Sequence, residues 1–488
     1  MRSKPFVHLF CNSSGYFCFD VNTDSIIKVS KELYEHMKGN KKFFSKDVKR
    51  EYDNLIKYGF LRGDKVKKTE HPMSPYVKNI ITKRLSSLVL QVTQNCNLRC
   101  SYCVYSGKYK NRVHSNKRMT KKMAFKAIDF LKSCSVDSEK VDIAFYGGEP
   151  LLEINLIKEC IGYAEKIMKD KEIHFNMTSN ATLLTLELYE YFRKHNVTVT
   201  ISLDGPKEIH DINRRYAKND EGSHIRTFGI LQEIYESYPE DIDNHVIINT
   251  VADQGKSFRD INNFFMEHEV FKKVQVTFSM INDSFSLEGE KNVSNTFLEE
   301  YRYEMFKMYL KIFGRLDSKY ISPLLQTNET INGIRRIDRR IRSRISEISH
   351  HAGPCIPGHK SLFVNVNGEF YPCERVPEGY DLYKIGDINE GFYMDNIIRM
   401  LNIEKCMSKT CRSCWAYEYC TMCIANSNCL NSLDEDSISN KCPFIKNEVE
   451  IDFKNYCLMI EQGYDFDLKG IRNRRKQHEE FNVFTDNQ

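Results

Sequence analysis

Between residues 88 and 282, short apolar stretches alternate with longer segments whose apolar residues recur every three or four positions. Nearly continuous apolar runs are typical of strands buried on both faces, and the longer period is typical of amphipathic helices. Six strands are predicted: LVLQVTQ, VDIAFYGG, IHFNMTSN, VTVTISLDG, HVIINTVAD and VQVTFSMIN. Because strands that alternate with helices form parallel sheets, residues 88–296 are predicted to be an α/β partial (β/α)6 barrel. Its chemistry is expected at the carboxyl ends of the strands.

Residues 1–75 have the pattern of a separate small module. Three strand candidates, FVHLF, YFCFDV and SIIKVS, come before two helical segments that begin after Ser30 and Ser45. Serine is a common residue at the start of a helix because its hydroxyl accepts a backbone hydrogen bond. The polar stretch that follows contains two prolines, which predicts an exit from the module and a linker over residues 76–87.

The chain after the barrel divides into three further segments. Residues 297–350 are predicted to be a helical bridge with an apolar stripe on one side and arginines elsewhere. The stripe consists of Ile334, Ile337, Ile341 and Ile345. The arginines leave two interpretations, a docking face for an acidic partner and a solvated helix surface. Residues 351–448 form a cysteine-rich domain in which metal clusters are expected to replace an apolar core, and residues 449–488 are predicted to be a C-terminal tail.

The bulk composition is that of a globular protein, with 41% hydrophobic and 28% charged residues in a chain of 488. No apolar run reaches the roughly 20 residues that span a bilayer, and no signal-peptide pattern is present. The predictions are therefore no membrane association and a cytoplasmic location. The net charge of +5 is too small and too evenly spread to indicate nucleic-acid binding.

Cysteine departs from ordinary composition, with 17 copies that cluster in two regions. Three of them, Cys96, Cys100 and Cys103, follow the first predicted barrel strand with the spacing C-NLR-C-SY-C. A loop with this spacing can place three thiolates on one iron–sulfur cube and leave a fourth iron for a substrate or cofactor. A structural zinc site would need four ligands, and a disulfide is not expected in a cytoplasmic chain.

This spacing, with Tyr102 before the last cysteine, resembles the CxxxCxxC motif of the radical S-adenosylmethionine (SAM) superfamily. The resemblance implies a [4Fe–4S] cluster that binds SAM and an enzyme that cleaves SAM to a 5′-deoxyadenosyl radical. It also implies an external electron donor such as flavodoxin or ferredoxin. Further family positions are matched at successive strand ends by Gly147, Gly148, Glu149, Asn180, Ser202 and Arg214. By resemblance, the Gly-Gly-Glu residues lie near the SAM amino group, and Ser202 and Arg214 contact its ribose and carboxylate.

The second cysteine group resembles the SPASM domain of radical SAM peptide maturases, which implies two auxiliary [4Fe–4S] clusters. The resemblance assigns an outer cluster to Cys411, Cys414, Cys420 and Cys442. It assigns an inner cluster to Cys355, Cys373 and Cys423. One spacing is two residues rather than three, so Cys423 and Cys429 are rivals for one role. Cys429 either completes the inner cluster or leaves an iron open to a substrate thiolate. A zinc ribbon built on two C-x2-C pairs is the alternative.

Residues 1–75 resemble the winged helix-turn-helix element, with three strands and three helices, that captures the leader of a precursor peptide in many such maturases. That element binds the leader by adding a strand to a sheet edge. A generic α+β cap is the alternative interpretation. The resemblance implies a ribosomally made precursor peptide with a leader and a cysteine.

These observations together predict a radical SAM peptide maturase that installs thioether crosslinks between a cysteine sulfur and a carbon of another residue. A related maturase that forms formylglycine, carbon–carbon crosslinks or epimerised residues is the first alternative, although formylglycine formation would not need a leader module. A zinc-binding regulatory or scaffold protein is an alternative of another class. The sequence singles out no general base.

Overall fold

The structure is a computed structural model that describes residues 4–39, 45–110, 112–289, 292–325, 333–334, 337–338, 345–351, 353, 355–464 and 466. In these residues, no helix combines the length and the apolar character that crossing a membrane requires.

The N-terminal module is an antiparallel sheet of three strands followed by two helices. The elements are β1 (Val7–Asn12), β2 (Gly15–Asp20), β3 (Ser25–Val29), α1 (Lys31–Met37) and α2 (Lys46–Lys57). As predicted, the hydroxyls of Ser30 and Ser45 cap the two helices, each accepting a backbone hydrogen bond of 3.2 Å. The leader-binding element of the resemblance has three helices, whereas the described part of residues 1–75 has these two.

The segment predicted to be a linker is instead packed against the barrel. β4 (Lys68–Thr69) pairs in parallel with residues 348–349, and α3 (Val77–Lys83) occupies most of residues 76–87. Val77 and Ile81 are fully buried in the main core because apolar residues four positions apart share one face of a helix.

Six parallel strands in chain order form the centre of the molecule, as predicted. They are β5 (Ser87–Thr93), β6 (Lys140–Gly147), β7 (Glu172–Ser179), β8 (Val197–Ser202), β9 (Val246–Ala252) and β10 (Gln275–Met280). The intervening helices are α4 (Lys121–Cys134), α5 (Ile154–Ile167), α6 (Leu186–Lys194), α7 (Lys207–Asn213), α8 (His224–Ser237), α9 (Ile242–His245), α10 (Phe258–Glu267) and α11 (Val270–Lys273). Within the described residues β10 pairs only with β9, so the sheet is open. Its curvature into a partial barrel stays a prediction.

The predicted bridge begins with α12 (Asn295–Ile312). Ile334, Ile337 and Ile345 of the predicted stripe are buried in the main core, and Ile341 lies outside the described residues. The apolar stripe therefore packs inward. The arginines on which the two interpretations depended also lie outside the described residues.

The C-terminal region extends the same sheet. β11 (Ile348–Ser349) pairs with β4, and β12 (Leu362–Val364) pairs in parallel with β5. The remaining elements are β13 (Glu369–Tyr371), β14 (Gly386–Asp387), β15 (Gly391–Phe392), α13 (Met394–Leu401), α14 (Ser408–Arg412), α15 (Glu435–Ser439) and α16 (Cys442–Glu461). Short 3₁₀ helices span Ser74–Tyr76, Pro150–Glu153, Ser318–Tyr320, Pro323–Leu325, Ile403–Met407, Tyr417–Tyr419 and Ile424–Asn426.

Two expectations about this region need correction. The cysteine-rich domain has an apolar core of its own side chains, because Phe363 and Phe370 are fully buried in the cluster that also fills the barrel. The first part of the predicted tail, from residue 449, is helical and packed, since α16 continues to Glu461 and buries Phe453.

Candidate functional site

The first three cysteines lie on a loop, residues 94–103, at the carboxyl end of β5; we call it the cysteine loop. Leu98 N donates to Cys96 Sγ at 3.3 Å, and Tyr105 N donates to Cys103 Sγ at 3.4 Å. Cys103 N donates to the carbonyl oxygen of Cys100 at 3.1 Å. Hydrogen bonds from backbone N–H groups favour the charged form of an acidic group, so the loop is suited to hold thiolates.

The thiols themselves are buried, which works against ionisation. Burial raises the pKa of Cys96, Cys100 and Cys103, to about 12 for Cys100, and the nearby Arg214 guanidinium opposes this shift at Cys100. A coordinated metal deprotonates a thiol outright. The residues therefore fit a metal-bound state in which iron supplies the charge that the buried site lacks.

The spacing of the three sulfurs distinguishes a cluster from a single ion. They do not all lie within 4.8 Å of one another. Three thiolates on one zinc ion, at a Zn–S distance of about 2.3 Å, would lie roughly 3.8 Å apart. This spread favours a multi-iron cluster over the zinc alternative.

Gly147 and Gly148 allow the cysteine loop to approach the sheet closely. Gly148 N donates to Thr93 O at 3.0 Å, and Glu149 N donates to Asn95 O at 2.9 Å. An added Cβ would lie 2.0 Å from Thr93 O at Gly147 and 2.0 Å from Asn95 O at Gly148. The resemblance assigned these glycines to the approach of SAM, whereas the structure places Gly147 against Thr93 at the end of β5 and Gly148 against Asn95 of the cysteine loop.

We expect Gly148→Ala to lose the first cluster, because the new methyl group would push Asn95 and the cysteine loop away from the sheet. The measurement is iron and acid-labile sulfide per chain after anaerobic reconstitution, together with 5′-deoxyadenosine formation. Gly162→Ala is the matched control, since Gly162 lies within α5 and an added Cβ there meets nothing within 4 Å. The control should retain all iron and gain roughly 0.5–1 kcal/mol of stability. Full iron and activity in Gly148→Ala would contradict the close-contact argument.

Glu149 is a buried carboxylate that joins two strand ends. Its Oε1 accepts hydrogen bonds from Leu151 N at 3.0 Å and Ser179 Oγ at 2.8 Å, and its Oε2 accepts one from Asn180 N at 2.8 Å. Burial raises the pKa of Glu149, and the three donors oppose that shift. The carboxylate that the resemblance assigns to SAM therefore also ties the end of β6 to the end of β7.

Asn180 lies beside the first cysteine of the loop. Its Nδ2 is 3.8 Å from Cys96 Sγ and donates to Asn97 Oδ1 at 2.9 Å. Its Oδ1 accepts a hydrogen bond from Thr182 N at 3.0 Å, which fixes the orientation of the carboxamide. A direct contact of Asn180 with SAM stays a prediction.

Tyr102 and Arg214 meet on Asp204, a residue that the sequence analysis did not single out. Arg214 Nε and Nη2 donate to the two carboxylate oxygens of Asp204 at 2.8 and 3.1 Å, and the Tyr102 hydroxyl also donates to Asp204. Burial would raise the pKa of Asp204, but Arg214 holds it below its ordinary value. The guanidinium assigned to the SAM carboxylate is thus already bidentate, and its charge also lowers the pKa of Cys100 against the larger effect of burial. The signal for Asp204 was its place in SLDG, directly after a strand end.

Ser202 is buried at the last position of β8. Its hydroxyl makes no hydrogen bond to the described residues, so it is available to a ligand such as a ribose. Contact with SAM stays a prediction here too.

A buried polar network joins the first barrel strand to the C-terminal region. Arg112 Nε and Glu378 Oε1 form an ion pair at 2.9 Å, with side chains only 2% and 10% exposed. Gln91 Nε2 donates to Glu378 Oε1 at 2.7 Å and to the Tyr105 hydroxyl at 2.8 Å. Val366 N donates to Gln91 Oε1 at 3.0 Å. Sequence analysis missed this network because its members share no motif.

The C-terminal cysteines lie in two sets. In the first set, burial is the main cause that raises the pKa of Cys411. The charges of three neighbouring cysteines raise it further, and these neighbours are Cys420, Cys414 and Cys442. In the second set, Cys423 raises the pKa of Cys355, and Cys355 raises that of Cys373, again after burial. The groupings are those that the resemblance assigned to the outer and inner clusters, and their ligand roles stay a prediction.

The Cys429 thiol contacts the backbone of residues close to it in the chain. Its Sγ is 3.6 Å from Ser427 O and accepts a hydrogen bond from Asp434 N at 3.4 Å. Its electrostatic neighbour among the cysteines is Cys406. Of the two rivals, Cys423 is the one whose charge raises the pKa of Cys355 in the second set.

Comparisons with known proteins bear on the family to which residues 90–255 belong. A family model described as the radical SAM superfamily matches residues 90–255. An uncharacterized protein of Methanocaldococcus jannaschii is 38% identical over 143 residues, which is 29% of this chain and 46% of that protein. A cysteine-type anaerobic sulfatase-maturating enzyme of Clostridium novyi is 27% identical over 318 residues, covering 63% of this chain and 78% of the relative.

Among solved structures, one titled native anSMEcpe with bound AdoMet aligns with a TM-score of 0.53 at 20% identity. The alignment covers 76% of this chain and 99% of that chain. At this identity the likeness shows a shared fold.

Proposed function

Because residues 90–255 are a radical SAM domain, we propose that the protein is a maturase that modifies a residue of a peptide or protein substrate. The observation that carries this proposal is the cysteine loop at the carboxyl edge of the sheet, joined through Gln91 and Glu378 to a second cysteine-rich region. A substrate chain bound between the two regions would reach the cysteines of the loop and those of the C-terminal region.

When bound, the [4Fe–4S] cluster and SAM supply a 5′-deoxyadenosyl radical that takes a hydrogen atom from the substrate. The chain's own residues hold and shield this chemistry. Cys96, Cys100 and Cys103 hold the iron, and Arg214 stabilises negative charge at Cys100. Gly147 and Gly148 let the loop lie against the sheet. The electron would come from an external donor such as a flavodoxin or ferredoxin.

For the product, we propose a thioether between a cysteine sulfur and a carbon of another residue of a precursor peptide. The support is the second set, in which Cys355, Cys373 and Cys423 are electrostatic neighbours and supply three thiols. A substrate thiolate could take the remaining position on an auxiliary cluster. One S–H and one C–H bond break and one S–C bond forms; a hydrogen atom leaves in 5′-deoxyadenosine, a proton goes to solvent and an electron goes to the auxiliary cluster.

The leader of the precursor would bind at β3. β3 pairs only with β2 among the described residues, so its other edge is available for an added strand. Helix α16 contacts both outer strands of this sheet: Asn12 Nδ2 of β1 donates to Lys454 O at 3.1 Å, and Lys28 of β3 forms an ion pair with Glu461 at 2.7 Å. His8 of β1 also stacks on Trp415, with ring centroids 3.5 Å apart.

We expect the precursor to slow amide hydrogen exchange in Ser25–Val29 and to leave exchange in Val7–Asn12 unchanged. An added strand protects the backbone of the strand with which it pairs, and β1, at the opposite edge of the sheet, gains no partner. Exchange followed by mass spectrometry, with and without the precursor, measures both segments in the intact protein. Protection of neither segment by a precursor that the enzyme modifies would refute leader binding at β3.

Formylglycine formation is the second candidate. The specific support is the similarity to the Clostridium novyi sulfatase-maturating enzyme, which covers 63% of this chain. Its substrate would be an unfolded sulfatase segment rather than a precursor with a leader. The N-terminal module would then have another role.

One experiment separates these outcomes. The reconstituted protein is incubated without oxygen with SAM, a reductant and a peptide, and the peptide is read by mass spectrometry. A thioether removes two hydrogens and one alkylatable thiol for each crosslink. Formylglycine made from cysteine replaces sulfur by oxygen, removes two hydrogens and gives an aldehyde that hydroxylamine traps. Loss of two hydrogens with all thiols retained indicates carbon–carbon chemistry, and zinc without iron or sulfide in the protein would refute the enzyme altogether.

A further inference from the structure

A compact group of side chains outside both cysteine regions has the composition of a metal site. His350 and His351 follow β11, and Glu404 lies on the 3₁₀ helix Ile403–Met407. One ligand atom from each residue lies within 4.8 Å of the others, and no other set of three such side chains in the described part of the chain is that close. The three side chains are 6%, 3% and 2% exposed. We propose that they bind one divalent cation of the zinc class, independently of the function proposed above.

The hydrogen bonds of His351 leave one ring nitrogen unsatisfied. His351 Nε2 is 2.9 Å from the carbonyl oxygen of Met422, which only accepts, so Nε2 carries the proton. In the neutral ring, Nδ1 is then a lone pair, and it faces Glu404 Oε2 at 3.4 Å without a hydrogen bond. Two acceptors that face each other in a buried site require a positive charge between them.

The carboxylate of Glu404 also has unsatisfied polar atoms. Both of its carboxylate oxygens are buried and lack hydrogen-bond partners among the described residues. Burying a carboxylate without a counter-charge is costly, and a bound cation would supply that charge. The hydroxyl of Tyr417, which interacts electrostatically with Glu404, is also buried and unpartnered. The site thus contains several buried polar atoms without hydrogen-bond partners, which a bound ligand would satisfy.

The surroundings of His351 suit a metal ligand. Metal-binding histidines ordinarily donate their other ring N–H to a backbone carbonyl, which fixes the tautomer, and His351 does so with Met422. Gly353 keeps this bond possible, because an added Cβ would lie 2.2 Å from both His351 Nε2 and Met422 O.

His350 completes the set after a small rearrangement. Its Nε2 donates to Leu401 O at 3.0 Å and lies 3.3 Å from Glu404 Oε2. Coordination through Nε2 would exchange the bond to Leu401 for a metal–nitrogen bond. Two imidazoles and one carboxylate are ligands that Zn²⁺, Fe²⁺ and related ions accept, and zinc forms tetrahedral sites of this composition with a fourth ligand such as water.

The location indicates a structural role. β11, which leads into the two histidines, pairs with β4 at the exit of the N-terminal module. The backbone N–H of His71, just after β4, donates to Asn402 Oδ1 at 2.8 Å. Asn402 lies two residues before Glu404. A cation here would clamp the module exit, the segment before the cysteine-rich domain and the helix that carries Glu404, and metal binding of this kind adds to folding stability.

The test uses the full chain with its iron–sulfur clusters reconstituted, then treated with chelator and titrated with Zn²⁺ without oxygen. We expect one zinc per chain with iron and sulfide unchanged, and affinity weaker by more than about 100-fold in Glu404→Gln and His351→Gln. His174→Gln, at a half-exposed histidine on β7, is the matched control and should bind as the wild type does. Co²⁺ in place of zinc should give visible d–d bands without thiolate charge transfer.

A measurement on the wild type alone covers the case in which a variant does not fold. Zn²⁺ should raise its thermal midpoint, because a ligand that binds only the native state stabilises it. Equal zinc binding by wild type and both variants would overturn the proposal. A wild type that binds no zinc, with thiolate bands as its only cobalt signal, would also overturn it and would make His351 an imidazolium paired with Glu404.

Discussion

Cys100→Ala is expected to abolish formation of 5′-deoxyadenosine while the iron of the C-terminal region stays in place. Three thiolates are the least that the loop can offer to a cube whose fourth iron is left for SAM. Cys100 is also the thiol beside the Arg214 guanidinium, which offsets part of the cost of burying its charge. Without it, the cysteine loop has two sulfurs, too few to retain the cluster.

The measurement is SAM cleavage by anaerobic chromatography, with iron counted in the same sample. Cys160→Ala is the matched control: Cys160 is fully buried in α5, belongs to neither cysteine group and packs as a small apolar side chain. It should lose some stability and keep its iron and its activity. SAM cleavage by Cys100→Ala at the wild-type rate would place the radical chemistry elsewhere.

The fold of the barrel was predictable because its signals are local. Each of the six strands is a short apolar run between helical segments, and β5 to β10 appear where those runs occur. The helix starts at Ser30 and Ser45 follow from a hydroxyl that satisfies a backbone N–H. Such signals need no knowledge of the rest of the chain.

What the sequence did not reveal depends on contacts between distant segments. The pairing of β12 with β5 joins residues far apart in the chain, and nothing in LFV predicts that partner. The packing of Val77 in the segment taken for a linker has the same origin.

The candidate site shows the same division between residue type and contact. The positions of Cys96, Gly148 and Asn180 beside one another could be predicted from a motif and from strand ends. The reason for Gly148 could not, because the obstacle to a side chain is the carbonyl of Asn95, a contact visible only in three dimensions. Asp204 was overlooked for a similar reason, since its partner Arg214 pairs with it only once the loop is folded.

Removing one partner of the buried Arg112–Glu378 pair is expected to have the largest effect on stability. Arg112→Met should lower the free energy of unfolding by about 3–5 kcal/mol, because it leaves the Glu378 carboxylate buried without its counter-charge. Arg112 also lies 5.3 Å from the ring centroids of both Tyr105 and Phe363, so the loss includes its packing between the cysteine loop region and β12.

The comparison that isolates burial is Arg84→Met. Arg84 pairs with Asp137 at 3.7 Å, but the side chains are 65% and 44% exposed, and such pairs contribute roughly 0–1 kcal/mol. Urea unfolding of both variants measures the difference, read from the midpoint at unchanged slope. The double variant Arg112→Met/Glu378→Gln should recover much of the loss, since it removes the uncompensated charge as well. If Arg112→Met unfolds at the same midpoint as Arg84→Met, the network does not hold the barrel to the cysteine-rich domain, and the two must be joined by the β5–β12 pairing and the shared apolar core alone.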